Sequence, residues 1–357
     1  MAHLMIYGCT GYTAQLILQK AKSIDLNLIV AGRTEGKVKA IASQFDMPYR
    51  VFDLQDTQRI DTALKNVKVL LNCSGPFRDT AEPLMRACIR NGTHYVDIAA
   101  ELDSYELATE LDQEASDAKV LLMPGCGGSV AMLGCLARYA LGDDKTPTSI
   151  DIALHVAGPM SRGSVVSAAA GLTSQCLKRT QGALTEQDQS IVQNFDFGDG
   201  KGSVACFPVT LPDLITIWKS TSVPHIQTFV HVSADENGFP SGDMQDIPDG
   251  PTEEQREANP YHASVVVTCE DGSVKEAVLH TVNGYSFTAQ ASLEAARRIL
   301  EGVNATGFQT PADVFGMRFV DSVAGSVMEM RGGNGASAEA LLRAADFGTK
   351  AVDVHSR

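Results

Sequence analysis

Basic residues are in short supply in this chain: 29 Lys and Arg stand against 43 Asp and Glu, a formal net charge of -14. A nucleic-acid partner needs a basic face for its phosphates, so no nucleic acid is expected. The eight cysteines, at 9, 73, 88, 126, 135, 176, 206 and 269, contain no C-x-x-C, and no Cys/His pair stands at zinc spacing. Neither a disulfide framework nor a metal site is therefore expected, and the cysteines read as reduced thiols, buried or free. No uninterrupted apolar run reaches the ~18 residues that a membrane span requires. No charged-then-apolar leader precedes the first apolar stretch, so the expectation is a cytoplasmic protein without a signal peptide.

What is present is an ordinary globular composition, 44% hydrophobic and 20% charged, over 357 residues. That length points to two domains. Up to about residue 124 strand and helix patterns alternate with short connections. Strands are expected at HLMIY, LNLIVA, YRVFD, VKVLLNC, HYVDI and KVLLM, with helices over 11–24, 35–45, 56–66, 79–91 and 102–118. Six strands and five helices are the count of a Rossmann domain, a doubly wound parallel sheet.

The first strand runs into Gly8-Cys9-Thr10-Gly11-Tyr12-Thr13-Ala14 and then a helical pattern. Strand, glycine turn and helix N-terminus together form a pyrophosphate cradle: Gly8 makes the turn, Gly11 admits the phosphate oxygens and Ala14 allows close helix packing. At the end of the second strand an NAD site places a carboxylate against the ribose 2′-hydroxyl; here the chain reads Ala31-Gly32-Arg33-Thr34. A guanidinium grips a 2′-phosphate, so Arg33 points to NADP(H), with Thr34 and Lys37 as helpers. Asp53 ends the third strand, where it either meets the adenine edge or caps the next helix. Ser74-Gly75-Pro76, after the fourth strand, is expected beside the nicotinamide half. The fifth strand delivers Tyr95, Asp97 and Glu101 to the same rim. Tyr95 and Asp97 are the candidate catalytic proton donors, with helix capping as the alternative for Asp97.

After Pro124-Gly125-Cys126-Gly127-Gly128-Ser129, read as a hinge, the alternation stops. Residues 125–308 have the pattern of an α+β domain on a mixed or antiparallel sheet, serving substrate binding or dimerisation. Its expected elements are a strand at SIDIALHVAG, a helix over 162–180, and strands near SVACFPV, IQTFVHVS, ASVVVTCE and VKEAVLHTVN, the last two joined at Asp271-Gly272. The polar segment 234–260 is expected to be a long loop, either a solvated excursion or a lid. A helix at TAQASLEAARRILEG precedes 309–330, and 331–357 reads as linker and tail with one short helical pattern at 336–345.

GCTGYTA, AGR, LLNCSGPF, ACIRNGTHYVDIAAE and GFQTPADVFG, in that order, resemble the saccharopine-dehydrogenase-like oxidoreductases, which include saccharopine reductases and trans-acting enoyl reductases. The resemblance is dense over 1–101 and returns near 285–317. It implies that 309–330 packs back onto a first domain at 1–124, that substrate binds between the domains, and that Gly8, Thr10, Gly11, Tyr12, Thr13, Arg33, Ser74, Gly75 and Pro76 line the cofactor. The turn at Gly125–Leu133 departs from the family pattern: it is shorter and has no acid. The expected function is an NADPH-dependent reductase of a conjugated alkene or an imine, acting on a small molecule. Tyr285, His155 or water are further proton sources, and a homodimer through the second domain is left open. The alternatives are an NADP(H)-binding sensor without turnover, or a non-redox enzyme on this fold. Reduction of saccharopine itself fits poorly, because a dicarboxylic amino acid wants several Arg or Lys and the second domain has few outside Arg162, Lys178 and Arg179.

Overall fold

A computed structural model describes residues 3–143, 146–172, 175–233 and 248–331. The first domain runs β1 (His3–Tyr7), α1 (Tyr12–Ala21), β2 (Leu28–Gly32), α2 (Glu35–Phe45), β3 (Tyr49–Val51), α3 (Thr57–Ala63), β4 (Val67–Asn72), α4 (Phe77–Asn91), β5 (His94–Asp97), α5 (Leu102–Glu110), α6 (Asp112–Asp117) and β6 (Leu121–Met123). After α7 (Ser129–Leu141) come β7 (Pro147–Ala157), α8 (Arg162–Leu172), β8 (Leu177–Thr180), β9 (Ala183–Glu186), β10 (Gln193–Asp196), β11 (Ser203–Pro208), α9 (Asp213–Thr221), β12 (His225–Ser233), α10 (Glu253–Ala258), β13 (Tyr261–Cys269), β14 (Val274–Thr281) and α11 (Gly284–Glu301). The chain closes with β15 (Gly307–Phe308), α12 (Pro311–Phe315), a 3-10 turn at Met317–Ser322 and β16 (Val327–Arg331).

The first sheet is parallel throughout, in the order β15-β6-β5-β4-β1-β2-β3. Its central strands are largely apolar because both faces are covered. Leu4 and Ile6 face the core shared with α1, α7 and α11, while Met5 and Tyr7 face the core under α3 and α4. The strand order reverses between β1 and β4, which makes the crevice beyond their carboxyl ends the binding position of a doubly wound sheet.

The second sheet is mixed, in the order β10-β11-β12-β7-β13-β14-β16, with β8 attached to β12 and β9 to β8. Ile150, Ile152 and Leu154 of β7, Ala263, Val265 and Val267 of β13, and Ala277 and Leu279 of β14 turn one face onto the core that α7 fills. Helix α7 reads SVAMLGCLARYAL and is buried almost all round, as a helix apolar on every side must be. It is the packing element between the two sheets.

Several expectations are corrected. The helix expected over 162–180 stops at Leu172, and Leu177–Thr180 is a strand. Gln181 and Gly182 both take positive φ, the two-residue turn that closes the β8–β9 hairpin. The single helix expected over 102–118 is two, and α9 was not expected. The segment 309–330 does not pack back as one piece. Return to the first sheet occurs at Gly307–Phe308, beside β6, and α12 and the 3-10 turn pack on α7. Strand β16 instead pairs antiparallel with β14 at the edge of the second sheet, with Met328 buried. The hairpin expected at Asp271-Gly272 forms, with Thr268 opposite Val274. Of the expected lid, 234–247 lies outside the described residues, as do 332–357 with their short helical pattern.

Candidate active site

The turn after β1 is held open for a ligand by two backbone facts. Gly8 has φ +78°, and a Cβ there would stand 2.8 Å from Ser74 N and Ser74 Cβ, so only glycine lets the β1 and β4 turns touch. Gly11 is the N-cap of α1, with no side-chain cap and no acid in the first turn. The amides at the head of α1 have no intrahelical acceptors and the helix dipole is unopposed, which is the chemistry a pyrophosphate needs. Thr10 is exposed and Tyr12 and Thr13 are half-buried around this turn, while Ala14 is fully buried under the helix.

At the neighbouring strand ends Arg33 is exposed, and Tyr7 lies between its charge and that of Asp53. Burial, then Asp53, push the Tyr7 phenol up to about 12, and Arg33 pulls the other way. Thr34 caps α2 without spending its hydroxyl on a cap bond. Glu35 beside it pairs with Lys39 at 2.8 Å. Asp53 accepts from Gln55 N at 2.9 Å; the cap of α3 is Asp56, which takes Arg59 N. The helix-cap alternative for Asp53 is thereby removed.

The third turn, Ser74-Gly75-Pro76, contains a cis peptide at Gly75–Pro76 and is braced from beneath. Asn72 Oδ1 accepts Ser74 N at 3.0 Å, and Thr80 Oγ1 donates to Ser74 O at 2.6 Å. Asn72 Nδ2 reaches Tyr95 Oη at 3.1 Å, Tyr95 donates to Asp97 Oδ2 at 2.8 Å, and Asp97 Oδ1 accepts the amides of Ala99 and Gly125. Tyr95 and Asp97 are 0% exposed. Burial pushes the Asp97 carboxyl up to about 7 against the pull of those hydrogen bonds. The structure places Tyr95 and Asp97, the expected proton donors, fully buried in the hydrogen-bond network beneath this turn, where they join the β4, β5 and β6 turns.

The polar groups that do face the rim come from both domains. Glu101, at the N-cap of α5, accepts Ser167 Oγ from α8 at 2.6 Å. Tyr285, at the start of α11, accepts Ser161 N at 2.7 Å and donates to Ser164 Oγ at 2.8 Å. Its ring meets Tyr12 edge-on, centroids 5.4 Å apart. Tyr12 donates to Pro251 O at 2.5 Å and receives Arg256 Nη1 at 2.7 Å, while Gly250 lies flat against its ring. The described end of the polar segment is therefore not a solvated excursion: its capping-box helix α10 brings Arg256 onto the cofactor turn. Sequence reasoning missed Arg256, Ser161, Ser164 and Ser167 because only the fold brings them to Tyr12 and Glu101. His155, expected as a possible proton source, alternates with Leu154 and faces away from α7, on the other side of the second sheet.

No disulfide joins the cysteines; seven are buried and Cys73 is half-buried. Burial raises the thiols at the cofactor turn, Cys9 to about 11 and Cys73 and Cys126 higher still, so none is an activated nucleophile. No helix among the described residues is long and apolar enough to cross a membrane.

Comparison with known proteins agrees with this geometry. The family model of the saccharopine dehydrogenase NADP binding domain matches residues 4–123. Curated relatives include the saccharopine dehydrogenase-like oxidoreductase of Mus musculus, 29% identical over 145 residues, covering 35% of this chain and 34% of that protein. The trans-acting enoyl reductase of Mycobacterium ulcerans is 26% identical over 132 residues, covering 35% and 32%. The match thus spans about a third of the length of these relatives. Saccharopine dehydrogenase (L-Glu forming) from Saccharomyces cerevisiae shares the fold, with a TM-score of 0.62 and 12% identity, over 93% of this chain and 100% of that one. Residues 4–123 thus match the saccharopine dehydrogenase NADP binding domain, and the cofactor is NADP(H).

Proposed function

We propose that the protein is an NADPH-dependent reductase of a small, weakly charged substrate with a conjugated alkene, bound between the Rossmann domain and α8 and α11. The observation that carries the reading is the rim itself: hydroxyls of Ser161, Ser164 and Tyr285 beside the cofactor turn, with nearby cations already engaged. Arg256 is held by Tyr12, Pro251 and Ser286, and Arg162 pairs with Asp249 at 3.3 Å. Arg179 is buried and donates to Leu214 O and Gly182 O. A dicarboxylic amino acid would find few uncommitted cations here, whereas an enoyl group needs only orientation and one proton. The trans-acting enoyl reductase relative, similar over 132 residues, supports the same choice.

NADPH, when bound, supplies the hydride. The head of α1 and Gly11 would hold its pyrophosphate, Arg33 and Thr34 its 2′-phosphate, and the braced Ser74–Pro76 turn would line the nicotinamide side. Tyr285 supplies the proton: the Ser161 amide that points at its oxygen stabilises the phenolate left behind, and Ser164 is placed to pass a proton back. The Tyr12 ring and the 248–258 segment close the site against water. NADPH oxidation measured against a panel of enoyl thioesters, enals and cyclic imines tests this. Tyr285→Phe should lower kcat with an enoyl substrate by about 10²-fold or more while leaving the NADPH Kd unchanged. NADPH binding with no oxidation by any of the panel would favour the sensor alternative instead.

A further inference from the structure

The face of the second sheet that looks away from α7 carries a row of histidines. His231 of β12, His155 of β7, His262 of β13 and His280 of β14 are direct cross-strand partners at one level of the sheet. Each alternates with a residue of the α7-facing core, so all four project to the same side. Ring centroids are 5.0 Å apart for His231 and His155, 5.6 Å for His155 and His262, and 4.9 Å for His262 and His280. Over this row the loop that joins β10 to β11 places Asp199. It is anchored by the Arg331–Asp196 ion pair at 2.8 Å and by Asp196 accepting Gly198 N at 2.7 Å.

We propose that His155, His262 and Asp199 form a binding site for one divalent transition-metal ion of the zinc class, with His231 beside the fourth position. One ligand atom from each of the three lies within 4.8 Å of the others. A tetrahedral ion holds such atoms roughly 3.4 Å apart, a closure that small side-chain rotations supply. His155 gives the independent indication. It is 4% exposed, its Nε2 is 3.0 Å from Ser233 Oγ, and its Nδ1 is buried without a hydrogen-bond partner among the described residues. With Nε2 donating to the serine, Nδ1 carries a lone pair that nothing satisfies, which is the state of a metal ligand held by an outer hydrogen bond. His231 repeats the pattern: its Nδ1 stands 2.9 Å from Ala205 O, a carbonyl that can only accept, so its Nε2 is left basic.

Burial and the neighbouring imidazoles push His155 down to about 4, and burial lowers His262. Two imidazoles and one carboxylate select zinc-like ions over magnesium or calcium, which prefer oxygen donors. Lys201, 3.5 Å from Asp199, is the opposing charge the ion must compete with. Facing away from the cofactor cleft, the site ties three strands and a loop together, so its readout is metal uptake and stability.

The test uses the untagged full chain, stripped with a chelator and titrated with Zn²⁺ alone. Uptake of one ion per chain is expected, with a rise in Tm, and Co²⁺ should give the visible absorption of a tetrahedral site. Asp199→Ala and His262→Ala should each weaken Zn²⁺ by about a hundredfold or more, and Ser233→Ala, which removes the partner of His155 Nε2, by about tenfold. Lys201→Met should tighten it. An unchanged thermal shift with NADPH shows that each variant is folded. The proposal is overturned if the wild-type chain takes up neither ion, or if either Asp199→Ala or His262→Ala binds Zn²⁺ at wild-type strength.

Discussion

In the first sheet every side chain of β1 from Leu4 to Tyr7 is buried, and helices cover both faces. In the second, Ile150, Ile152 and Leu154 of β7 face the core, while Asp151 and His155 look to the other side. There Asp151 binds Gln193 and Gln227, and Ala153 meets the small cluster of Phe195, Phe197 and Phe229. A parallel sheet with two apolar faces has nowhere to carry chemistry except its strand ends, so the cofactor groups sit in loops. A mixed sheet with one partly polar face can carry chemistry on the face itself. Cofactor binding and the histidine row thus belong to different parts of the architecture.

That separation can be broken or sharpened by mutation, beginning with the largest effect. Gly8→Ala combines positive φ with backbone contacts below 3 Å, and should cost about 4 kcal/mol or more and abolish the NADPH thermal shift. Zn²⁺ uptake by whatever variant remains folded should persist; its loss would couple the two sheets after all.

Asp213→Asn probes the seam between the domains. Asp213 of α9 is fully buried, neither carboxylate oxygen has a hydrogen-bond partner among the described residues, and burial pushes it from 3.8 up to about 7. Its folded pKa lies above the unfolded value, so the folded state keeps the proton between the two. Stability is unaffected below about pH 4 and falls as pH rises towards 7, by up to about 4 kcal/mol. Denaturation curves of Asp213→Asn and the parent chain should converge near pH 4 and diverge above it; parallel curves would refute the assignment.

Arg33→Ala comes next. Loss of a charged pair to the 2′-phosphate should weaken NADPH about ten- to a hundredfold and leave NADH nearly untouched, checked by titration calorimetry with both. Equal losses would remove the 2′-phosphate role. The smallest effect is Ser167→Ala, which deletes the bond to Glu101 across the domains. It should lower stability by about 1 kcal/mol without changing NADPH affinity.

Much of the first domain was legible because its signals are local. Gly8, Gly11 and Arg33 lie within a few residues of the strands that position them, and apolar runs bounded by turns fix the β/α alternation. Tyr95 and Asp97 were legible as residues of this strand end but not in depth: strand alternation does not tell how deep a side chain at a strand end is buried. Hydrogen bonds from Asn72, Ala99 and Gly125 hold both beneath the Ser74 turn, fully buried. The helix expected to run through Leu177 failed for a similar reason, since pairing with β9 and β12 outweighed local pattern there.

The sequence by itself determined a doubly wound NADP(H)-binding domain followed by an α+β domain on a mixed sheet, since periodicity, glycine turns and one arginine in place of a carboxylate are properties of neighbours along the chain. Only the tertiary structure decided that Arg256 and Tyr285 meet at Tyr12, that the last strand leaves the first domain for the second sheet, and that His155, His262 and Asp199 converge. Those contacts join residues far apart in the chain, and sheet register, which no short spacing encodes, sets which of them face one another.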